Sequence, residues 1–300
     1  MKIRIATRKS ELAMYQANFV ANEIKSNISN IEVELIPMAS EGDQTDKPLH
    51  EIGGKGLFVT KLESALESNK ADIAVHSLKD VPASLDPKFK ITNVFKRESP
   101  SDLLLSRDGK SFTDFPKNAT IGTSGPRRKA QINYLRPDIK TVPVRGNIAT
   151  RINKLNEGQF DGLVVAKAAI SRLSLKHNSY EFLIEEMLPA ASQGHIAIEC
   201  LSAKKDVVKL LKHIGDPIEL IIANAERSFV AAMGGNCLSP IAILCEDLNG
   251  VIKISGKVLS NKGDKLIYKE TKSSIKNINQ DIISFADDFI SEGAKSLICE

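Results

Sequence analysis

The segment His76-Ser77-Leu78-Lys79-Asp80-Val81-Pro82 places an imidazole, a hydroxyl, an ammonium and a carboxylate within five residues. Fixed in place, such a carboxylate can stabilise a developing cation or hold an N–H donor; the alternative is a solvated turn whose Asp80 caps its own backbone. Arginine is concentrated rather than spread: six of the 11 lie between Arg127 and Arg172, and the chain's other 30 cations are lysine. Residues 121–151 hold seven Lys or Arg against one acid, Asp138. A planar guanidinium fork suits carboxylate or phosphate better than a mobile ammonium, so this stretch predicts an anion site. Arg127 and Arg128 fall in the first turn of an expected helix, where the dipole disfavours cations. Local stability does not explain them, and an anionic partner does.

Four cysteines occur, with no CxxC spacing, which argues against a zinc site, a redox pair or a disulfide framework. Cys200 ends an apolar strand and Cys245 lies on the strand after Pro240, so both read as buried small hydrophobes. Cys299 is near the terminus. Cys237 follows Gly234-Gly235-Asn236, off any apolar stripe, and is either a reachable nucleophile or an inert turn thiol. The loop Ile52-Gly53-Gly54-Lys55-Gly56-Leu57 lacks the Gly-Lys-Ser/Thr ending of a nucleotide-binding loop; a flexible flap carrying one cation, Lys55, fits it better.

The elements that must position these groups alternate. Strands are expected at Ile3–Ala6, Ile31–Met38 and Ala71–His76. Between them lie a helix from Ser10 to about Lys25, packed through Leu12, Tyr15, Ala17 and Phe19, and another from Leu57 to about Asn69. The middle third repeats that grammar with strands Thr120–Thr123, Lys140–Val144 and Gly162–Ala166. Its helices are opened by Ser124 with Pro126 and by Asn147. Such a pattern predicts parallel sheets covered by helices, with ligands at the carboxyl ends of the strands. A strand His195–Cys200, a helix Lys204–Ile214 and a helix Pro217–Met233 follow. Strands Ile241–Glu246, Val251–Leu259 and Lys265–Lys272 and a helix Asp281–Glu292 then make a small α+β module. No internal sequence repeat is evident.

Composition bounds the function. Hydrophobic content of 42 % and charged content of 26 % are those of a globular protein. No apolar run reaches the ~18 residues of a membrane helix. The N-terminus Met1–Arg8 mixes charge with apolar residues and has no secretory h-region, so a cytoplasmic protein is expected. A nucleic-acid-binding module would show a broad basic face with stacking aromatics; the net charge here is +4, aromatics are 5 % and Trp is absent. A non-catalytic binder of a carboxylated ligand would use the same residues but leaves the loop cysteine unexplained.

Seven motifs in register carry a family resemblance: Arg4–Ser10, Gly53–Phe58, His76–Pro82, Gly122-Thr123-Ser124 with Arg127-Arg128, Arg145-Gly146-Asn147 with Arg151, Gln193-Gly194, and the Gly-Gly-Asn-Cys237 loop. Together they closely resemble the porphobilinogen deaminase (hydroxymethylbilane synthase) family. The resemblance implies an α/β protein with two periplasmic-binding-protein-like (type II) lobes around a cleft, plus a small α+β C-terminal domain. Domain 1 would span 1–95 with 195–214 returning to it, domain 2 would span 96–194, and domain 3, carrying the cofactor cysteine, 217–300. It implies a dipyrromethane cofactor bound covalently through Cys237. On that primer, four porphobilinogen units are condensed head-to-tail with loss of ammonia, and the linear tetrapyrrole is released by hydrolysis. Asp80 is the implied catalytic residue. Cys237, Ser77, Lys79, Asp80, Thr123, Ser124, Arg127, Arg128, Arg145, Gly146 and Arg151 would bind the cofactor. Arg8, Ser10, Lys55, Arg145, Arg151, Arg172 and Gln193 would bind substrate. No metal, nucleic acid or membrane is implied, and a monomer would pass its product to uroporphyrinogen-III synthase. The chemistry agrees with the residues, because each porphobilinogen brings two carboxylates for arginine forks. A fixed anion at the pyrrole N–H would also stabilise the cation formed when ammonia leaves. The chain departs from the family pattern at Gly125-Pro126 (usually Ser-Leu), at Ala169 (usually Gly) and at Leu201 (often basic).

Overall fold

Strands that are apolar throughout must be covered on both faces, and this chain interleaves them with helices that do so. The computed structural model describes residues 1–39, 59–236 and 238–299. The chain divides into two units, Met1–Glu98 with Gly194–Ile221, and Ser99–Gln193 with Ile222–Glu300. In chain order the elements begin with β1 (Lys2–Arg8), α1 (Glu11–Asn27), β2 (Glu32–Met38), α2 (Thr60–Glu67), β3 (Ile73–Ser77) and β4 (Phe89–Val94). The middle of the chain forms β5 (Asp102–Ser106), β6 (Thr120–Gly122), α3 (Pro126–Leu135), β7 (Lys140–Val142), α4 (Ile148–Asn156), β8 (Gly162–Ala166), α5 (Lys167–Arg172) and β9 (Ser179–Glu181). Then come β10 (Ile196–Leu201), α6 (Lys205–Leu210), α7 (Pro217–Ala232), β11 (Ile241–Leu248), β12 (Val251–Leu259), β13 (Leu266–Ser274), α8 (Ile278–Ser291) and α9 (Ala294–Leu297).

The sheet of the first unit has the order β2-β1-β3-β10-β4. Strand β1 is parallel to β2 and β3, whereas β10 is antiparallel to both β3 and β4. The second unit contains a sheet of order β7-β6-β8-β5-β9, with β6 parallel to β7 and β8, and β5 antiparallel to β8 and β9. Both therefore follow one plan: second strand, first strand, third strand, an inserted antiparallel strand, fourth strand. This is the type II binding-protein architecture, repeated in topology without a repeat in sequence. The sheets are mixed, which corrects the expectation of parallel ones. The inserted strands are buried runs like their neighbours, and burial pattern does not encode direction. Strands β4, β5 and β9 and helix α5 were not anticipated, and α6 is shorter than expected.

Core packing follows the strands. Ile3, Ile5, Ile73, Val75, Ile196 and Ile198 meet Ala17, Val20, Ala21 and Ile24 of α1. Of the four α1 residues expected to pack, Ala17 is buried and Phe19 packs partly buried against this core, whereas Tyr15 is exposed. Small residues let the helix lie close to the sheet, and they bring Gln16 inside with them. In the second unit, β11–β13 form an antiparallel meander whose Asn249-Gly250 turn has positive φ at both residues (57° and 93°), as a tight hairpin requires. Phe229 of α7 and Phe285 and Phe289 of α8 stack edge-on or tilted, with centroids 5.1–5.6 Å apart, over Gly256 of β12. That meander also meets α3 and the segment after β9: Asn133 Nδ2 donates to Lys262 O at 3.0 Å, and Ile243 N donates to Pro189 O at 3.1 Å.

Where the chain leaves and re-enters the first unit, Glu98 N donates to Gly194 O at 3.2 Å. Gly194 has φ +95°, and a Cβ there would lie 2.2 Å from Glu98 O. Gly250 has φ +93° but open space around it. Gly194→Ala therefore combines backbone strain with a backbone clash and costs about 2 kcal/mol or more, against roughly 1 kcal/mol for Gly250→Ala. The urea midpoint falls further for Gly194→Ala; equal shifts would remove the steric reading.

Candidate active site

The residues predicted for the site in the first unit lie at the carboxyl ends of β1 and β3. Arg8 is the last residue of β1, and Ser10 occupies the N-cap of α1, although its side chain makes no capping hydrogen bond. After β3 the chain makes a single 3-10 turn, Leu78–Asp80, with Ser77 at its N-cap. Leu78 is fully buried, its N–H donates to His195 O at 3.1 Å, and Val81 N closes the turn on Leu78 O at 3.1 Å. Ser77 is fixed from α1, where Gln16 Nε2 donates to its Oγ at 2.7 Å. His76 Nε2 is hydrogen-bonded to Glu199 Oε2 of β10 at 2.9 Å, and both side chains are buried. Burial, with Glu199 nearby, pushes the Glu63 carboxyl of α2 above the usual carboxylate range. The turn is thus pinned from α1 and β10, and it leaves Asp80 exposed and Lys79 half-buried.

In the second unit most of the residues predicted for the site follow β6 and β7. Thr123 N donates to Val142 O at 2.9 Å. The Ser124 hydroxyl donates to Val144 O and accepts from Val144 N, so Ser124 ties two loops together and Gly125 is the N-cap of α3. Arg127 is buried: NH2 reaches Asp102 Oδ2 at 2.6 Å and NH1 donates to Leu188 O at 2.6 Å. Arg128 NH2 reaches Asp102 Oδ1 at 2.7 Å, NH1 donates to Val164 O at 3.2 Å, and its Nε is buried with no hydrogen-bond partner among the described residues. Gln193 is also buried, and its amide donates to Asp102 Oδ1 at 2.9 Å and to Pro100 O at 2.6 Å. Gly146 has φ +107°, and its carbonyl accepts from Arg151 Nε at 2.8 Å. Asn147 caps α4 through Thr150 N at 2.9 Å, and Lys154 Nζ donates to Arg145 O at 3.3 Å. Arg172 ends α5.

Charge is unbalanced around Asp102. Burial pulls the Arg127 guanidinium below the usual arginine range; Asp102 opposes this and Arg128 adds to it. Burial also lowers Lys257 of β12 to about 8, with Arg127 contributing, and its Nζ donates to Glu185 O at 3.0 Å. Cys200 and Cys245 are buried, as expected, and burial raises the Cys200 thiol to about 11. Lys55 and Cys237 lie outside the described residues.

Residues 3–209 match the family model described as porphobilinogen deaminase, dipyromethane cofactor binding domain, and residues 220–289 match the porphobilinogen deaminase C-terminal domain. The chain belongs to the porphobilinogen deaminase family. A porphobilinogen deaminase of Campylobacter hominis is 40 % identical over 301 residues, covering 99 % of this chain and 97 % of the relative. Relatives of that name from Syntrophomonas wolfei and Legionella pneumophila are each 38 % identical over 99 % of this chain and 98 % and 97 % of their own lengths. Among solved structures, the periplasmic VFT2 domain of Bordetella pertussis BvgS aligns with a TM-score of 0.45 at 14 % identity, covering 76 % of this chain and 90 % of that one.

Against the porphobilinogen deaminase pattern, two departures have clear local places: Gly125 and Pro126 are the N-cap and first residue of α3, and Leu201 packs against the core beside Phe89. Reading residues alone missed Asp102, Lys257, Gln16 and Glu199. Asp102 and Glu199 are single acids within apolar strands, a signal the sequence holds; Lys257 continues the alternating positions of Lys253 and Ser255, as any exposed strand lysine would. Because Lys257 has a lower pKa folded than its ordinary 10.5, the unfolded chain binds more protons between about pH 8 and 10.5, and stability rises with pH there. Lys257→Met abolishes that rise. A denaturation series from pH 7 to 10.5 in which both proteins keep the same slope would contradict the assignment.

Proposed function

We propose that this chain is a cytoplasmic, monomeric hydroxymethylbilane synthase in which Asp80 is the catalytic carboxylate and Cys237 anchors the dipyrromethane through a thioether. It deaminates and condenses four porphobilinogen molecules into hydroxymethylbilane, which passes to uroporphyrinogen-III synthase. The observation that carries this reading is the buried positive charge around Asp102, where two guanidinium groups share one carboxylate and Arg128 Nε has no hydrogen-bond partner among the described residues. That donor set fits a polycarboxylate ligand, since an unpaired buried donor costs about 1–3 kcal/mol unless something fills it. No helix among the described residues is long and apolar enough to cross a membrane.

In this reading Arg127, Arg128, Arg145 and Arg151, with Ser77, Lys79, Thr123, Ser124 and Gly146, hold the dipyrromethane. When bound it supplies the nucleophilic pyrrole carbon from which the chain grows. Arg8, Ser10, Lys55, Arg145, Arg151, Arg172 and Gln193 hold the carboxylates of porphobilinogen. Asp80 accepts the pyrrole N–H and stabilises the positive charge that develops as the bond to ammonia breaks. A carboxylate on a pinned turn needs no reorganisation at that moment, which is where preorganised electrostatics act. Domain 1 (1–95 with 195–214), domain 2 (96–194) and domain 3 (217–300) would divide this work.

The intact mass of the denatured protein tests the cofactor. It should exceed the sequence mass by two porphobilinogen units less two ammonias, mapped to Cys237, and Cys237→Ser should fold without the increment. Persistence of the bare mass after porphobilinogen is added would defeat the reading. Asp80→Asn should keep the fold and the increment while turnover falls by at least about a hundredfold; near-normal turnover would defeat the role of Asp80.

A further inference from the structure

Asp102 opens β5 with no solvent exposure and commits both oxygens, Oδ2 to Arg127 and Oδ1 to Arg128 and Gln193. Each guanidinium is thereby held at two points, one arm on Asp102 and the other on a backbone carbonyl, Leu188 O for Arg127 and Val164 O for Arg128. Two points fix the plane of a rigid fork. Gln193 also donates to Pro100 O, so the same carboxylate is tied to both segments by which the chain enters and leaves the second unit. A buried ion pair contributes little net stability compared with apolar residues of the same volume, so stability alone gives no reason for a carboxylate here. Its position gives one: without it two adjacent guanidinium groups repel, and an arriving carboxylate has to organise them itself.

We infer that Asp102 is a positioning residue that presets the Arg127 and Arg128 guanidinium planes for the carboxylates of the dipyrromethane and of porphobilinogen, an inference that rests on the reading above. It touches neither ligand in this role and acts through the arginines.

Asp102→Asn keeps the side-chain shape and one accepting oxygen and removes the charge. Chain produced in the absence of porphobilinogen is incubated with porphobilinogen, and the mass increment on denatured samples is followed beside the Tm. The expected result is a cooperative unfolding transition with an increment that appears at least about tenfold more slowly than on the wild-type chain. A merely structural role would lower the Tm and leave the loading rate of folded protein unchanged, and that outcome overturns the inference. Should Asp102→Asn fail to fold, Asp102→Glu keeps the charge and moves the carboxyl by one methylene. Slowed loading in that variant is then the expected result, and wild-type loading overturns the inference. No increment on the wild-type chain defeats the underlying reading instead, so the two failures are distinguishable.

Discussion

A carboxylate removed entirely from water stays ionised only if cations and hydrogen-bond donors come with it. Asp102 imposes that condition on the second unit, and the arginine motif is arranged to meet it. Placing Arg127 and Arg128 in the first turn of α3 sets them against the helix dipole, at a cost of about 0.3–1 kcal/mol each. Breaking a buried pair costs about 3–5 kcal/mol, so the pairing decides where the guanidinium groups go. Gly125 and Pro126 then suit the entry to the helix, Pro because its missing N–H would be unpaired at the first helical position anyway. The side chain that sequence reasoning assigned to opening the helix, Ser124, is released to hold Val144 through both its donor and its acceptor.

That release has a packing counterpart. A Cβ on Gly122 would lie 2.6 Å from Val144 Cγ2, so the end of β6 and the loop after β7 approach closer than any side chain at 122 allows. Close approach is what lets one hydroxyl serve both backbone groups of Val144. It also fixes the start of the loop carrying Arg145 and Gly146, which the Asn147 cap fixes from the other side. The loop is therefore defined by hydrogen bonds at both ends, while Arg145 on it is half-buried.

Much of this was legible in the residues because it depends on local chemistry. The Asn147 cap, the buried strand Gly162–Ala166, the helix beginning at Pro126 and the burial of Cys200 and Cys245 all follow from short-range pattern, and all hold. Strand direction did not follow, since β5 and β10 look like any buried run. The partner of the arginine pair did not follow either. The dipole argument asks for an anion beside the pair, but nothing local says that Asp102, 25 residues earlier, pairs with both arginines. Lys257 was missed for a similar reason: its burial comes from the approach of the 184–189 segment and α3, which strand alternation cannot report.

The two inserted strands are more than a topological detail. Each carries a carboxylate with no exposure, Glu199 on β10 and Asp102 on β5, and each carboxylate holds a motif residue of a neighbouring element. Glu199 holds His76, which immediately precedes the Ser77–Asp80 turn; Asp102 holds Arg127 and Arg128. A strand that enters a sheet from a distant part of the chain brings a side chain that no βα loop nearby could place. Its backbone is fixed by ladders on both sides, so that side chain has little freedom left to lose. Loops at the carboxyl ends of strands are where ligand chemistry is placed in open α/β sheets, and they are also the least constrained parts of such folds. Anchoring each loop motif to a charged residue on the adjacent inserted strand resolves that conflict. Because both sheets use it, the device belongs to the strand order itself and not to either motif.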